Sequence, residues 1–111
     1  MKKIVFKGVG TAVVTPMKED YSINYSVFDE LLDMQIAGSA DAIVVAGTTG
    51  EGSTLTDDEH IELVRRAVKH VRGRVPVIAG AGSNNTAHAV YLSKECEKAG
   101  ADALLHVTPY Y

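Results

Sequence analysis

Apolar residues follow two spacings along the chain, short continuous runs and longer stretches with one apolar position every three or four residues. Short runs rich in β-branched residues are typical of strands buried on both faces, whereas the longer spacing is typical of amphipathic helices. The runs predict four strands, at Val9–Thr15, Asp41–Ala46, Val75–Ala81 and Asp102–Thr108.

Three helices are predicted between these strands, each followed by a glycine that can end it. Asn24 can cap the first, which ends near Ala37, and Thr56 with Glu59 forms a capping box that opens the second. The third spans about Thr86–Lys98. The positions expected to face the core are Val27, Phe28, Leu31, Leu32 and Ile36 in the first helix, Ile61, Val64, Val68 and Val71 in the second, and Ala89, Leu92, Cys96 and Ala99 in the third.

The resulting order is βαβαβαβ, and it contains a weak internal repeat. Ala37–Val45 resembles Ala99–Leu105 in an Ala-Gly start, an Ala-Asp-Ala centre and an apolar end. Repeated strand–helix units with short loops predict a parallel α/β sheet with right-handed crossovers. Two architectures fit this pattern, an open doubly wound sheet and part of an eight-stranded (β/α)8 barrel.

The loops that follow the strands hold most of the unusual chemistry, whereas the loops at the other end are plain glycine turns. The chemically rich loops are Thr15-Pro16, Thr48–Glu51, Ser83–Asn85 and Thr108–Tyr111. Functional residues at the carboxyl end of every strand are typical of barrel enzymes, although open sheets share the tendency. This placement favours the barrel.

The stretch Gly47–Gly52, with the sequence Gly-Thr-Thr-Gly-Glu-Gly, lies between the second strand and the second helix. Its backbone N–H groups and the hydroxyls of Thr48 and Thr49 suit a small anion, either a carboxylate or a phosphate. A plain turn is an equally good interpretation of the residues alone, because glycine accepts a positive φ without a Cβ penalty. Glu51 is a candidate either for catalysis or for holding the loop.

The composition is that of one soluble globular unit, with 111 residues of which 46% are hydrophobic and 23% charged. Eleven basic and 14 acidic residues give a net charge of −3 without a basic block, so we expect no nucleic-acid partner. No segment has the length that a membrane span needs, so we expect no membrane partner. Cys96 is the only cysteine, which excludes an internal disulfide and fits a cytoplasmic protein.

Several motifs together resemble the pyruvate-dependent class I aldolase family, which includes N-acetylneuraminate lyase. They are Gly47–Glu51, Leu55, Asp58–His60, Pro76–Gly80 and Val107–Tyr111, and the resemblance runs along essentially the whole chain. The paired threonines and the Thr-Pro-Tyr-Tyr ending resemble one branch of the family. That branch condenses pyruvate with aspartate semialdehyde to 4-hydroxy-tetrahydrodipicolinate, on the path to diaminopimelate and lysine.

The resemblance implies a (β/α)8 TIM barrel, of which residues 1–111 would be the amino-terminal half of a single domain, truncated after the fourth strand. A typical barrel needs roughly 250 residues. In the family, a lysine on a later strand forms a Schiff base with pyruvate, and no cofactor is used. Lys18 is the one lysine at the correct end here, and beside Glu19 and Asp20 it is expected to stay solvated. The chain alone is therefore expected to be inactive.

The resemblance also implies roles for single residues of the active site. Thr49 would hold the pyruvate carboxylate together with Thr48 and backbone N–H groups, and Thr48 would relay protons. Tyr111 would enter the active site of a neighbouring subunit, in a homotetramer built as a dimer of dimers. A tyrosine with a pKa near 10 can pass a proton along a hydrogen-bonded chain without leaving a charge behind.

Three residues line up with the family's lysine feedback site at a dimer interface: His60, Asn84 and Tyr110. Other positions of that site depart from the pattern of lysine-sensitive members. His88 replaces a glutamate that binds the ammonium group of lysine, Asp57 replaces a histidine, and Gly52 replaces a serine. A histidine cannot supply the lost negative charge, so lysine inhibition is not expected.

Two rival interpretations remain open. The chain could come from another aldolase or lyase of the family that acts on a different aldehyde, or from a non-catalytic phosphate-binding α/β module. The histidines at 60, 70 and 88 lack metal-ligand spacing, so we expect no metal. His106 lies among apolar strand residues and is expected to be a hydrogen-bonded interior histidine.

Overall fold

The computed structural model describes residues 2–111, in which four short strands alternate with three helices. The strands are β1 (Gly10–Ala12), β2 (Ala42–Val45), β3 (Val77–Gly80) and β4 (Ala103–Leu105). The helices are α1 (Tyr25–Ala37), α2 (Asp57–Val71) and α3 (Thr86–Lys98). A single 3₁₀ turn, Gly52–Thr54, precedes α2.

The strands form one parallel sheet in the order β1-β2-β3-β4, so neighbours in sequence are also hydrogen-bonded neighbours. Because right-handed crossovers between successive parallel strands put every helix on the same side, the sheet has one helix-covered face. A doubly wound sheet would reverse its strand order at a switch point. The parallel α/β prediction is confirmed, and the sequential order agrees with the barrel rather than the doubly wound sheet.

All four strands are shorter than the apolar runs predicted. The ladder between β1 and β2 ends at Ala12, although the Val13 N–H still donates to the Val44 carbonyl oxygen at 3.1 Å. At the other edge, β4 stops at Leu105, three residues before the predicted end at Thr108. The apolar runs continue past the last paired residue, because a residue can be buried without belonging to a strand ladder, as Val13 after β1 shows.

The helix starts predicted from capping residues are confirmed. Asn24 accepts a hydrogen bond from the Val27 N–H at 3.2 Å, and it caps α1. Thr56 and Glu59 form the complete capping box of α2, with contacts of 3.2 and 2.9 Å between each side chain and the other's backbone N–H. Local side-chain signals therefore determine where these helices begin.

The core lies between the helices and the sheet, with α2 packed against α1, α3, β2 and β3. The stripe predicted for α1 was too wide, because Phe28 and Leu32 are fully buried whereas Val27 is 43% exposed. In α2 the buried face is wider than predicted and also includes Leu63 and Ala67, since this helix has a helix on each side. Within residues 2–111, no helix combines the length and the apolar character needed to cross a bilayer.

Candidate active site

The carboxyl ends of β2, β3 and β4 surround one cavity of about 490 Å³. Apart from His60 on α2, its wall consists of strand ends and the loops that follow them. The lining residues are Ala46, Gly47, Thr48, Gly52 and Ser53 after β2, His60 on α2, Gly80 and Gly82 at β3, and Leu105, His106, Val107 and Tyr110 at β4. The loops in which the sequence concentrates its chemistry thus meet at one edge of the sheet.

The loop between β2 and α2 uses its glycines for space rather than for a positive φ. The left-handed residues are Ala46 and Glu51, each with a φ of 57°, whereas Gly47, Gly50 and Gly52 do not have a positive φ. A Cβ on Gly52 would lie 2.2 Å from the Ala46 carbonyl oxygen, and one on Gly80 would lie 2.3 Å from the same atom. Only residues without a Cβ allow the loop and β3 to approach this carbonyl so closely.

Thr48 and Thr49 are both exposed on this loop, and Thr48 also lines the cavity. The N–H groups of Glu51 and Gly52 close turns onto the carbonyls of Thr48 and Gly47, at 3.0 and 3.1 Å. By contrast, the hydroxyls and backbone N–H groups of the two threonines have no hydrogen-bond acceptor within residues 2–111. The loop therefore presents free donors beside the cavity, which is the arrangement that an anionic group requires.

Two buried side chains, Thr15 and His60, contact main-chain carbonyls of this loop. The Thr15 hydroxyl donates to the Gly50 carbonyl oxygen at 2.6 Å. His60 reaches from α2 with Nε2 2.6 Å from the Gly80 carbonyl oxygen and Nδ1 3.3 Å from that of Gly52. Because a carbonyl oxygen only accepts, the short contact places a proton on Nε2.

A second cavity of about 180 Å³ adjoins the first and shares with it part of the wall, including His60 and Tyr110. Asn84 also lines it, so the structure brings together the three residues that the resemblance assigns to a lysine feedback site. The His60 ring contributes to the wall with both nitrogens already facing main-chain carbonyls.

The same small cavity contains a hydrogen-bonded pair of an aspartate and a histidine that the sequence does not reveal. His88 Nε2 lies 2.7 Å from Asp57 Oδ1, and His88 Nδ1 lies 3.0 Å from Ser83 Oγ. The residues at positions 57 and 88, which both differ from the lysine-sensitive pattern, therefore contact each other. Compared with that pattern, the acid and the histidine have exchanged positions. The cavity keeps a carboxylate, but that carboxylate is already paired.

The segment after β4 is not a regular strand, so the side chains of its two tyrosines need not point to opposite faces of the sheet. Tyr110 lines both cavities, whereas Tyr111 is fully exposed, and their rings meet edge to face with centroids 6.0 Å apart. The interior placement predicted for His106 is wrong, because this residue is exposed at the cavity rim, with Nε2 2.7 Å from Ser93 Oγ. Its predicted hydrogen bonding is confirmed.

A parallel sheet in sequential strand order, with its cavity at the carboxyl ends, defines the class of this chain as part of a (β/α)8 barrel. Residues 5–111 match the model of the Dihydrodipicolinate synthetase family. The chain belongs to that family, which confirms the resemblance noted in its motifs.

The similarity to individual family members is high. Over 107 residues the chain is 55% identical to the 4-hydroxy-tetrahydrodipicolinate synthase of Caldicellulosiruptor saccharolyticus, a match that covers 96% of this chain and 36% of the relative. The crystal structure of dihydrodipicolinate synthase from Bacillus anthracis matches with a TM-score of 0.95 at 44% identity, covering 98% of this chain and 37% of the other.

The crystal structure of the chloride-inhibited dihydrodipicolinate synthase from Acinetobacter baumannii, complexed with pyruvate, matches with a TM-score of 0.94 at 39% identity. That match covers 97% of this chain and 37% of the other. The chain thus spans little more than a third of the length of these relatives.

Proposed function

We propose that the protein containing this chain condenses pyruvate, held as a lysine Schiff base, with aspartate semialdehyde. The product would be 4-hydroxy-tetrahydrodipicolinate, so the protein would be a carbon–oxygen lyase of the class I aldolase type. Membership of the family and the synthase relatives support this assignment. The observation that carries it is the loop Gly47–Gly52, whose free donors lie beside the cavity at the carboxyl ends of the strands.

The carboxylate of pyruvate would bind at the two threonines. The hydroxyl and N–H groups of Thr49 would donate to the carboxylate, assisted by Thr48, whose hydroxyl would also relay protons from the cavity side. Following the family resemblance, we infer that Tyr111 reaches the active site of a second subunit, in a homotetramer built as a dimer of dimers.

The Schiff-base lysine would lie outside this chain. Every lysine from Lys2 to Lys98 is exposed, whereas a nucleophilic lysine is usually desolvated so that its pKa falls. We infer that the chain supplies the first four strands of one barrel domain, with the three helices between them, and is inactive alone. Schiff-base chemistry needs no cofactor, and the buried free thiol of Cys96 is compatible with the reducing conditions of the cytoplasm.

The proposed reaction is tested by reducing the full-length protein with borohydride in the presence of pyruvate and measuring its mass. A covalent pyruvate adduct and turnover of aspartate semialdehyde are expected. An adduct without that turnover would favour another aldolase of the family. Phosphate binding without an adduct would favour the non-catalytic module.

The role of the threonine loop is tested by Thr49→Val. Losing a hydrogen bond to a charged group costs about 1.5–3 kcal/mol, so kcat/KM for pyruvate should fall roughly 10- to 100-fold. Thr54→Val is the matched control, because the Thr54 hydroxyl lies on the same segment but already donates to the Glu51 carbonyl at 3.0 Å and is not a free donor. Equal effects of the two substitutions would contradict the assignment.

We also propose that the second cavity, at His60, Asn84 and Tyr110, is the position of the lysine feedback site, with weak response to lysine. An incoming ammonium group would have to displace His88 from Asp57. The double exchange Asp57→His with His88→Glu restores two of the three departing positions, including the glutamate that binds the ammonium group, and should increase lysine inhibition in the full-length protein. Strong inhibition of the unmodified protein, or no gain in the double variant, would contradict this proposal.

A further inference from the structure

Among the residues that the structure describes, the buried polar side chains are Thr15 and His60, 5% and 3% exposed. Burying a polar group is unfavourable unless it is hydrogen-bonded, so each must have a specific partner. Both buried polar side chains of the core contact main-chain carbonyls of the same loop, Gly47–Gly52.

Thr15 restrains the middle of the loop. It comes from the segment after β1, and its hydroxyl donates to the Gly50 carbonyl at 2.6 Å, across 35 positions of sequence. A Cβ on Gly50 would lie 3.2 Å from Thr15 Oγ1 and 3.1 Å from the Ala46 nitrogen. The loop backbone is thus packed directly between Thr15 and the end of β2.

His60 restrains the end of the loop. Its ring donates from Nε2 to the Gly80 carbonyl oxygen on β3, and its Nδ1 side packs against the Gly52 carbonyl at 3.3 Å. Gly52 begins the 3₁₀ turn that leads into α2, the helix that carries His60 itself. Thr15 and His60 therefore contact the loop at Gly50 and Gly52, the positions that directly follow the two threonines.

The loop needs such restraint because part of its backbone is unfavourable. Ala46 and Glu51, which flank the Gly-Thr-Thr-Gly turn, both have a φ of 57°, in the left-handed region that non-glycine residues rarely occupy. Strained conformations of this kind persist only where the surrounding structure enforces them. The two buried hydrogen-bonding side chains are the enforcing contacts here.

We propose that Thr15 and His60 are positioning residues, which hold the loop so that the donors of Thr48 and Thr49 stay at the cavity. This inference rests on the proposed role of the loop in binding the pyruvate carboxylate. Thr15 does not line the cavity, and His60 lines it with both ring nitrogens already facing main-chain carbonyls. Their removal lets the loop relax, which weakens pyruvate binding more than it slows the chemistry.

The experiment uses Thr15→Val in the full-length protein, because valine keeps the shape of threonine and removes only the hydroxyl. KM for pyruvate should rise roughly 10-fold with a smaller fall in kcat, since a misplacement of about 1 Å can cost roughly 100-fold and the loss of one restraint should move the loop by less. Thr15→Ser keeps the hydroxyl and should restore KM. Thr11→Val is the matched control, since Thr11 lies four residues earlier on β1, is half-buried, and its hydroxyl has no partner within residues 2–111.

Hydrogen exchange of the amides at positions 48–52 gives a readout independent of activity. Exchange there should be faster in Thr15→Val than in Thr11→Val, and His60→Phe should act in the same direction. Unchanged exchange and unchanged KM in folded Thr15→Val would overturn the inference. Faster exchange in a protein that forms no pyruvate adduct would uphold the restraint of the loop and refute its proposed function.

Discussion

Close contacts around the Ala46 carbonyl determine which residues the loop between β2 and α2 can contain. Gly52 and Gly80 both approach this oxygen so closely that a Cβ would overlap it, although neither has a positive φ. Gly47 differs, because its Cβ would meet only the Val44 side chain at 3.4 Å. Glycines of one short motif therefore differ in how replaceable they are.

This difference predicts that two alanine substitutions lower the free energy of unfolding by different amounts. Gly52→Ala forces a backbone shift and should lower the free energy of unfolding by about 1–3 kcal/mol, the usual range for overpacking. Gly47→Ala should change it by less than about 0.5 kcal/mol, the range of substitutions without such a conflict. Urea denaturation of the two variants measures both values. A smaller loss for Gly52→Ala than for Gly47→Ala would show that the loop adapts freely.

At the scale of elements, α1 and α2 are joined by a charged network across their outer surface. Arg66 on α2 donates two hydrogen bonds to the Asp29 carboxylate on α1, and its guanidinium lies 5.5 Å from the centroid of the Tyr25 ring. His70 contacts the carboxylate of Asp33 at 2.9 Å. Hydrogen bonding from Arg66, together with the nearby His70, lowers the pKa of Asp29 below its ordinary value of 3.8.

This lowered pKa makes stability depend on pH on the acid side. A carboxyl whose folded pKa lies below its unfolded pKa stabilises the fold above the unfolded value, near 3.9, and loses that contribution as the pH falls through the folded value. Asp29→Asn should therefore lower the melting temperature at pH 7 and make its decline below pH 4 less steep. Thermal unfolding from pH 7 to pH 2.5 measures this.

Glu30→Gln is the control for this network, because Glu30 is the next residue on α1, is exposed, and forms no ion pair within residues 2–111. Its melting curve should follow that of the unmodified protein. Parallel acid profiles for Asp29→Asn and the unmodified protein would show that the ion pair has no net effect, as is true of many surface pairs.

Elements were predictable from sequence where their signals are local. The capping groups of α1 and α2 act within three residues, so the helix starts followed from the sequence. Strand ends depend on where a neighbouring strand stops, which is why β1 and β4 are shorter than their apolar runs. The exposure of Val27 likewise depends on how α1 is rotated about its own axis against the sheet, which the spacing of apolar residues does not specify.

At the scale of the whole molecule, the sheet has two open edges, since β1 and β4 each pair with one neighbour within residues 2–111. Large apolar side chains are exposed near these edges and on α3. They include Val14, Val90, Leu105 and Val107. Open strand edges and exposed apolar surface both promote association between chains.

The 111-residue chain on its own is therefore expected to associate in solution. Sedimentation velocity at several concentrations should show species larger than a monomer, and the full-length protein serves as the comparison because a complete barrel pairs both edges. A stable, monodisperse monomer of the isolated chain would contradict the prediction.

By itself, the sequence determined the parallel βα order, the helix starts and the family, because these depend on local patterns and on motifs that appear intact along the chain. Tertiary structure alone decided how the site is assembled. Thr15 with Gly50 and Asp57 with His88 are contacts between residues more than thirty positions apart, which no local pattern predicts. They form because adjacent parallel strands end at the same edge, where the loops of distant segments meet.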